Sequence, residues 1–376
     1  DRLHLVWSGS ENGQVWYSRA FARDAYTIEA WSEPQPLPAP VAMGSQPDIE
    51  GDAGGGLHVV YAVPVNEGRG IYYTRSDDGG ESWIEVRTVF DAAGAGWALV
   101  DHARLEIDAQ GILHVVWSRS SLVAGGMPQG IYYVQSKDGG QTWSEPLVIA
   151  QGPYAWPEVS ASAAGQVHLV WQEAGGAGDW WQRWSLDSGQ VWTRAERVPG
   201  FGGVSAPVAL IADGSGAIYL LGLGTDDAGR AAMVQAMWDG RRWSEHQVLR
   251  LGLRITGPGL VAAPSPELGR LDAVFVGGVA EQERTGRLGL WYSGRSIAAV
   301  DGTRSQIVPP AFVTVPPPAA SPEPLPSLTP VPASVAALAA GDSTGSTVPF
   351  FVAGGLAVLL VAGVLAIHFL SPSRRI

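Results

Sequence analysis

A five-residue motif of strand character recurs along residues 1–307 and constrains the fold more than any other feature. Four copies read as an aliphatic residue, His, two aliphatic residues and an aromatic residue, and two weaker copies follow without the His. The six copies begin 51 to 56 residues apart, at Leu3, Leu57, Leu113, Val167, Ile218 and Leu271. A period near 54 residues, built from short β-rich runs and Gly turns, is typical of propeller blades.

Each repeat keeps the same internal order of strand-like runs. In the third repeat, an inner run at Arg104–Asp108 precedes the five-residue motif, and a run at Gly130–Val134, a Gly turn and a final strand after Trp143 follow it. The sequence therefore predicts an all-β domain, a six-bladed β-propeller of four-stranded antiparallel blades. Only two residues precede the first motif, so the first inner strand is expected to be missing or supplied by the segment 304–308.

The Gly turn between the third and fourth runs is the most specific signal. Three copies of S-x-D-x-G-x-x-W lie in register with the repeat, at Ser76, Asp78, Gly80, Trp83, Ser136, Asp138, Gly140, Trp143, Ser185, Asp187, Gly189 and Trp192. The Asp side chains can accept hydrogen bonds from turn amides, the Gly residues can supply a positive φ, and the Trp can pack over the hairpin. These residues are predicted to be structural.

These turns resemble the Asp-box, or BNR repeat, of the sialidase-like six-bladed β-propellers, and the resemblance covers nearly all of residues 1–307. It implies that the turns lie on the face away from an active site. For the enzymes of that family it also implies an arginine triad, a Tyr nucleophile assisted by Glu, and an Asp acid/base. The F/Y-R-I-P motif that carries the first triad arginine does not occur here, and no complete triad can be assigned.

A candidate ligand site follows from aligning the repeats. Asp48, Arg104 and Glu158 each lie nine residues before the start of a motif, which places them at one mouth of the central channel on adjacent blades. Nearby hydrogen-bonding and stacking groups suit a sugar. The full candidate set is Asp48, Asp101, His102, Arg104, Arg119, Tyr154, Trp156 and Glu158. The alternative is that the three aligned charges form an ion network that only joins the blades.

Composition excludes several classes of partner and cofactor. The chain has 24 Lys and Arg against 36 Asp and Glu, which argues against nucleic acid. It has no Cys, so disulfides and thiolate sites are excluded. The S-x-D-x-G-x-x-W motif supplies one carboxylate per turn, far fewer than the roughly six oxygens that calcium needs, and the motif histidines lie in different blades. We expect no metal and no cofactor.

The carboxy-terminal part predicts a membrane anchor. Residues 348–370 contain His368 as their only ionisable side chain and are long enough to cross a bilayer. Arg374 and Arg375 follow in the tail 371–376, so the tail is expected in the cytoplasm and the propeller outside it, at the cell membrane. The intervening Pro/Ala/Ser-rich segment 308–347, with ten prolines from Pro309 to Pro332, is predicted to be a linker.

Two functional hypotheses remain from the sequence. One is a binding module without a complete catalytic set, which would display its propeller to a cell-surface or extracellular glycan or protein. The other is an exo-acting glycoside hydrolase of the sialidase type. A structural surface protein without a small ligand is a third alternative.

Overall fold

A computed structural model describes residues 2–296 except 10–12, 26, 42, 124–125, 163–164, 176–177, 214–215, 252–259, 266–269 and 278–288. The predicted linker 308–347, membrane helix 348–370 and tail 371–376 lie outside these residues. In the described part of the chain, no helix is long and apolar enough to cross a membrane. The only helical element there is a 3-10 helix at Ile28–Ala30.

The described strands form six antiparallel sheets in chain order. Four sheets have four strands each: β4 (Ser45–Gly51), β5 (Leu57–Val63), β6 (Gly70–Ser76), β7 (Arg87–Asp91); β8 (Leu99–Ile107), β9 (Leu113–Ser120), β10 (Pro128–Ser136), β11 (Leu147–Gln151); β12 (Tyr154–Ala161), β13 (Val167–Glu173), β14 (Trp180–Ser185), β15 (Glu196–Arg197); β16 (Ser205–Ala212), β17 (Ile218–Thr225), β18 (Ala231–Trp238), β19 (Gln247–Arg250). Two sheets have three strands: β1 (Arg2–Ser8), β2 (Val15–Phe21), β3 (Gln35–Pro36); β20 (Leu260–Ser265), β21 (Arg270–Gly277), β22 (Gly289–Ser296).

The all-β propeller of antiparallel blades is confirmed, but the predicted count of six four-stranded blades is wrong. The first sheet starts at its motif strand β1, so its described part has no inner strand. The last sheet has β22 as its third and final described strand. Residues 304–308, the other predicted source of an inner strand, lie outside the described residues.

The first strand of each complete sheet lies innermost. Strands β4, β8, β12, β16 and β20 contact one another in that order, and β1 contacts β4. The chain enters these inner strands at one end of the propeller, which we call the upper end. Because the strands alternate in direction, the Gly turns between third and fourth strands lie at the opposite, lower end.

The lower Gly turns pack against the preceding blade. In the second turn, the Asp138 carboxylate accepts the amides of Gln141 at 3.0 Å and Thr142 at 2.9 Å, and Gly140 has a φ of 79°. Trp143 packs edge-on against Tyr73 of the preceding blade. The same pairing recurs between Tyr17 and Trp83 and between Tyr133 and Trp192.

The motif histidines extend this lower packing into each blade. The Nδ1 atoms of His4, His58 and His114 each lie 2.7 Å from the hydroxyl of a Tyr on the neighbouring strand: Tyr17, Tyr73 and Tyr133. These three tyrosines are the ones that meet the Trp residues of the next turns. The histidines therefore act as packing residues, each within its own blade.

Candidate functional site

The upper ends of three adjacent inner strands share an unusual backbone. The pairing registers of β4, β8 and β12 with their neighbours each shift at a bulge of two residues. At equivalent positions in these bulges, Gln46, His102 and Trp156 have φ values of 49°, 52° and 54°. A residue other than Gly in this left-handed region costs about 1–3 kcal/mol, and such strain concentrates at functional sites. Bulges also redirect side chains beside such sites.

His102 is held by polar contacts on two sides. Its Nδ1 lies 3.0 Å from Asp101 Oδ1 and 3.2 Å from the Ser118 hydroxyl. Its backbone amide donates to Gln46 Oε1 of the preceding blade at 2.7 Å. The imidazole is thus fixed both within its own blade and from the neighbouring one.

An aromatic contact covers the other side of His102. The ring centroids of His102 and Trp156 are 3.8 Å apart, with the planes tilted by 51°. His102 is only 8% exposed, while Trp156 is partly exposed. The indole of the next blade therefore lies against the imidazole at the channel mouth.

The three aligned charges form bonds between blades. Arg104 Nε donates to Glu158 Oε1 at 3.0 Å, and Arg104 Nη1 donates to the carbonyl of Ala103 at 2.9 Å. Asp48 Oδ2 accepts the backbone amide of Leu105 at 2.9 Å. This geometry is that of the ion network considered as the alternative from the sequence, and it lies directly below the His102 and Trp156 bulges.

Burial raises the pKa values of the carboxyl groups in this network. Burial raises the pKa of Glu158 to about 7 against the opposing effect of Arg104, and it also raises the pKa of Asp48. One step further along the strands, burial raises the pKa of Glu106 to about 8. The pKa of Glu50 is well above its usual range because of burial and the nearby Glu106.

Two candidate residues are not brought into this group. The Arg119 guanidinium lies over the Trp97 ring, 4.6 Å from its centroid, and its Nε is buried without a partner. The Tyr154 ring makes edge contacts at 6.2 Å with Trp171 and Trp181 of its own blade. The structure thus brings together Asp48, Asp101, His102, Arg104, Trp156 and Glu158.

Four residues of the site were missing from the candidate set. Gln46 occupies the position that aligns with His102 and Trp156, so the repeat alignment was sufficient to predict it as a site residue. Glu50 and Glu106 lie two residues beyond Asp48 and Arg104, on the same face of their strands, and could have been found from that period. A Ser follows the motif in only two of the six repeats, as Ser8 and Ser118, so the alignment gave no signal for Ser118.

Metal ligation has no candidate group here. Within the described ranges, no set of three or more His, Asp or Glu side chains is arranged to hold a metal ion. The carboxyl groups of Glu158 and Asp48 are bonded to Arg104 and to the Leu105 amide, and that of Asp101 contacts Ser118 and His102.

Comparison with known proteins gives structural matches alone. No protein-family model matches the chain, and no curated protein matches it in sequence. Among solved structures it is similar to a protein of unknown function from Dyadobacter fermentans, with a TM-score of 0.54, 15% identity, and coverage of 78% of this chain and 94% of that one. It is also similar to the polysaccharide lyase Uly1, with a TM-score of 0.53, 12% identity, and coverage of 79% and 75%.

A microbial sialidase, Hz136, matches less well in shape. Its TM-score is 0.45 at 19% identity, and the match covers 70% of this chain and 61% of the sialidase, so this chain spans less than two thirds of that protein's length. The observed sheets, together with the two matches that have TM-scores above 0.5, support an all-β propeller at the level of fold. Identities this low carry no conclusion about activity.

Proposed function

We propose that this protein is a glycan-binding β-propeller that receives its ligand at the upper channel mouth, beside His102 and Trp156. The observation that carries the proposal is the set of strained, non-Gly bulges that aim Gln46, His102 and Trp156 at one mouth from three blades. Trp156 remains partly exposed there, and an indole offers an apolar face to the C–H groups of a sugar ring.

Support for binding without catalysis comes from the state of Arg104. It is 6% exposed and already pairs with Glu158, so it differs from a free arginine that could clamp a substrate carboxylate. Solved propellers of similar fold include a protein named as a polysaccharide lyase, which agrees with a saccharide as the ligand class. We further propose that residues 348–370 anchor the propeller in a bilayer, with the propeller outside the cytoplasm, where a glycan or a surface protein would be its partner.

The test is a glycan array probed with the full chain in mild detergent, beside Trp156→Ala. We expect binding to a defined group of glycans and a loss of about tenfold in affinity in the variant, equivalent to about 1.4 kcal/mol of lost stacking. Trp83→Ala is the control, because Trp83 is also partly buried but packs at the lower Gly turn. A folded chain that binds no glycan, or equal losses in both variants, would contradict the proposal.

A second candidate function, an exo-acting glycoside hydrolase of the sialidase type, is favoured by one observation. Glu158 has a pKa near 7, which suits a general acid at neutral pH. Release of a fluorogenic aglycone from a sialoside, abolished by Arg104→Ala in a variant that still folds, would establish this function. Absence of turnover in the folded chain would leave the binding function alone.

A further inference from the structure

The hydrogen-bonding pattern around His102 determines which ring nitrogen carries the proton. The Ser118 hydroxyl donates its hydrogen to Asp101 Oδ1, and Asp101 as a carboxylate can only accept. Both neighbours of His102 Nδ1 are therefore acceptors toward it. Nδ1 must be the donor, and in a neutral imidazole a proton on Nδ1 leaves Nε2 with a lone pair.

That lone pair has no partner. His102 Nε2 is buried and forms no hydrogen bond in the structure. The Trp156 ring lies against the imidazole and is itself partly exposed, so it stands between the imidazole and solvent. A buried acceptor without a donor is costly, and here the cost falls beside two strained residues. Such a combination indicates a group that obtains its partner from a ligand.

The charges at the mouth restrict the ligand. On the five described inner strands β4, β8, β12, β16 and β20, Arg104 is the only Lys or Arg. These strands carry five acidic residues, namely Asp48, Glu50, Asp101, Glu106 and Glu158. Because Arg104 is bonded to Glu158, these strands offer no unpaired cation to bind a carboxylate on the ligand.

We propose that His102 Nε2 is a hydrogen-bond acceptor in a closed subsite covered by Trp156, and that a hydroxyl of an uncharged saccharide engages it when the indole moves aside. This inference rests on the glycan-binding function proposed above and names its ligand class. The indole then stacks on the sugar, while Asp101 and Ser118 act as positioning residues that hold the Nδ1–H tautomer. Acidic sugars, including sialic acid, are disfavoured because the described inner strands leave no unpaired Lys or Arg to bind their carboxylate.

The tautomer can be measured without any ligand. Two-bond ¹H–¹⁵N correlation spectra of the full chain at neutral pH should show His102 as neutral and protonated at Nδ1. Asp101→Asn should populate the Nε2–H form, because the new amide can donate to Nδ1, whereas Ser118→Ala should keep the original tautomer. A wild-type ring protonated at Nε2, either as the other tautomer or as an imidazolium against Trp156, would overturn the proposal.

The ligand class is tested by titrating the same labelled chain with lactose, N-acetyllactosamine, chitotriose and 3′-sialyllactose. At least one uncharged sugar should shift both the His102 Nε2 and the Trp156 indole resonances, and 3′-sialyllactose should bind at least about fivefold more weakly than lactose. Stronger binding of 3′-sialyllactose would overturn this proposal while leaving glycan binding intact. A failure of every glycan, here and on the array, would instead remove the proposed function.

Discussion

Gly80→Ala is expected to destabilise the propeller by about 3 kcal/mol, while Gly79→Ala, one residue earlier, is expected to cost about 1 kcal/mol. Both glycines have positive φ, 84° and 71°, so both variants place an alanine in the left-handed region and lose stability for that reason. A Cβ at Gly80 would also overlap the hydroxyl and ring of Tyr17, which is fully buried in the preceding blade. A Cβ at Gly79 has the Arg2 side chain as its nearest neighbour, 3.9 Å away.

Equilibrium urea unfolding of the full chain, followed by Trp fluorescence, measures both variants. The difference between them isolates the contact between blades from the backbone cost that they share. The third turn supports the smaller cost expected for Gly79→Ala. Ser188 occupies the position of Gly79 there with a φ of 53°, so the turn accepts a residue with a Cβ at this position. Equal free energies of unfolding for the two variants would show that the turn does not wedge against Tyr17.

The repeated turns show why so much of the fold could be predicted from the sequence. Ser136, Asp138 and Gly140 form their hydrogen bonds within a few residues of one another, so the motif alone specifies the geometry. The five-residue motif also specifies its own strand. In β9, the second strand of its sheet, side chains on both faces are buried, as an almost entirely apolar run predicts. The period then sets the number of repeats, but only pairing in three dimensions decides how many strands each sheet contains.

The channel mouth shows why the site could be predicted only in part. The alignment placed Asp48, Arg104 and Glu158 together because repeats bring equivalent positions to the same height. It could not predict the left-handed bulges, since Gln46, His102 and Trp156 have no local preference for that conformation and are held there by neighbouring strands. The contact of Ser118 with Asp101 and His102 depends on strand pairing of β9 with β8.

Arg119 and Tyr154 were placed in the candidate site for their chemistry and their nearness in sequence. Each instead finds aromatic partners: Arg119 stacks on Trp97, and Tyr154 meets Trp171 and Trp181. With 16 Trp in the chain, such partners are abundant, and the sequence does not show which one a side chain will choose. Of the candidate residues that lie together at the mouth, all except Asp101 contact a neighbouring blade.

Glu106→Gln is expected to make the protein more stable than the wild type at alkaline pH and to leave its stability nearly unchanged near pH 4.5. In the folded chain, burial raises the pKa of Glu106 to about 8, whereas the usual value is 4.5. The folded state therefore keeps a proton that the unfolded state releases. The stability from this group is complete below about pH 4.5 and is lost as the pH rises through 8, at about 1.4 kcal/mol for each unit of pKa difference.

Urea unfolding between pH 4.5 and 9 tests this prediction through the difference between variant and wild type, which removes the contributions of all other groups. Glu85→Gln, at an exposed position, is the control and should follow the wild-type profile. Wild-type stability that does not fall relative to Glu106→Gln over this range would contradict the protonated state of the network.

A variant of Glu50 extends the same urea experiment to the coupling between the blades of Glu50 and Glu106. Its pKa is raised by burial and, next, by the charge of Glu106, so removing that charge should lower the pKa of Glu50 and relieve part of its own alkaline penalty. Glu50→Gln and Glu106→Gln should therefore be less than additive, and the double variant should gain less stability at pH 9 than the sum of the two. Strict additivity would mean that the two carboxyl groups titrate independently of each other across the second and third blades.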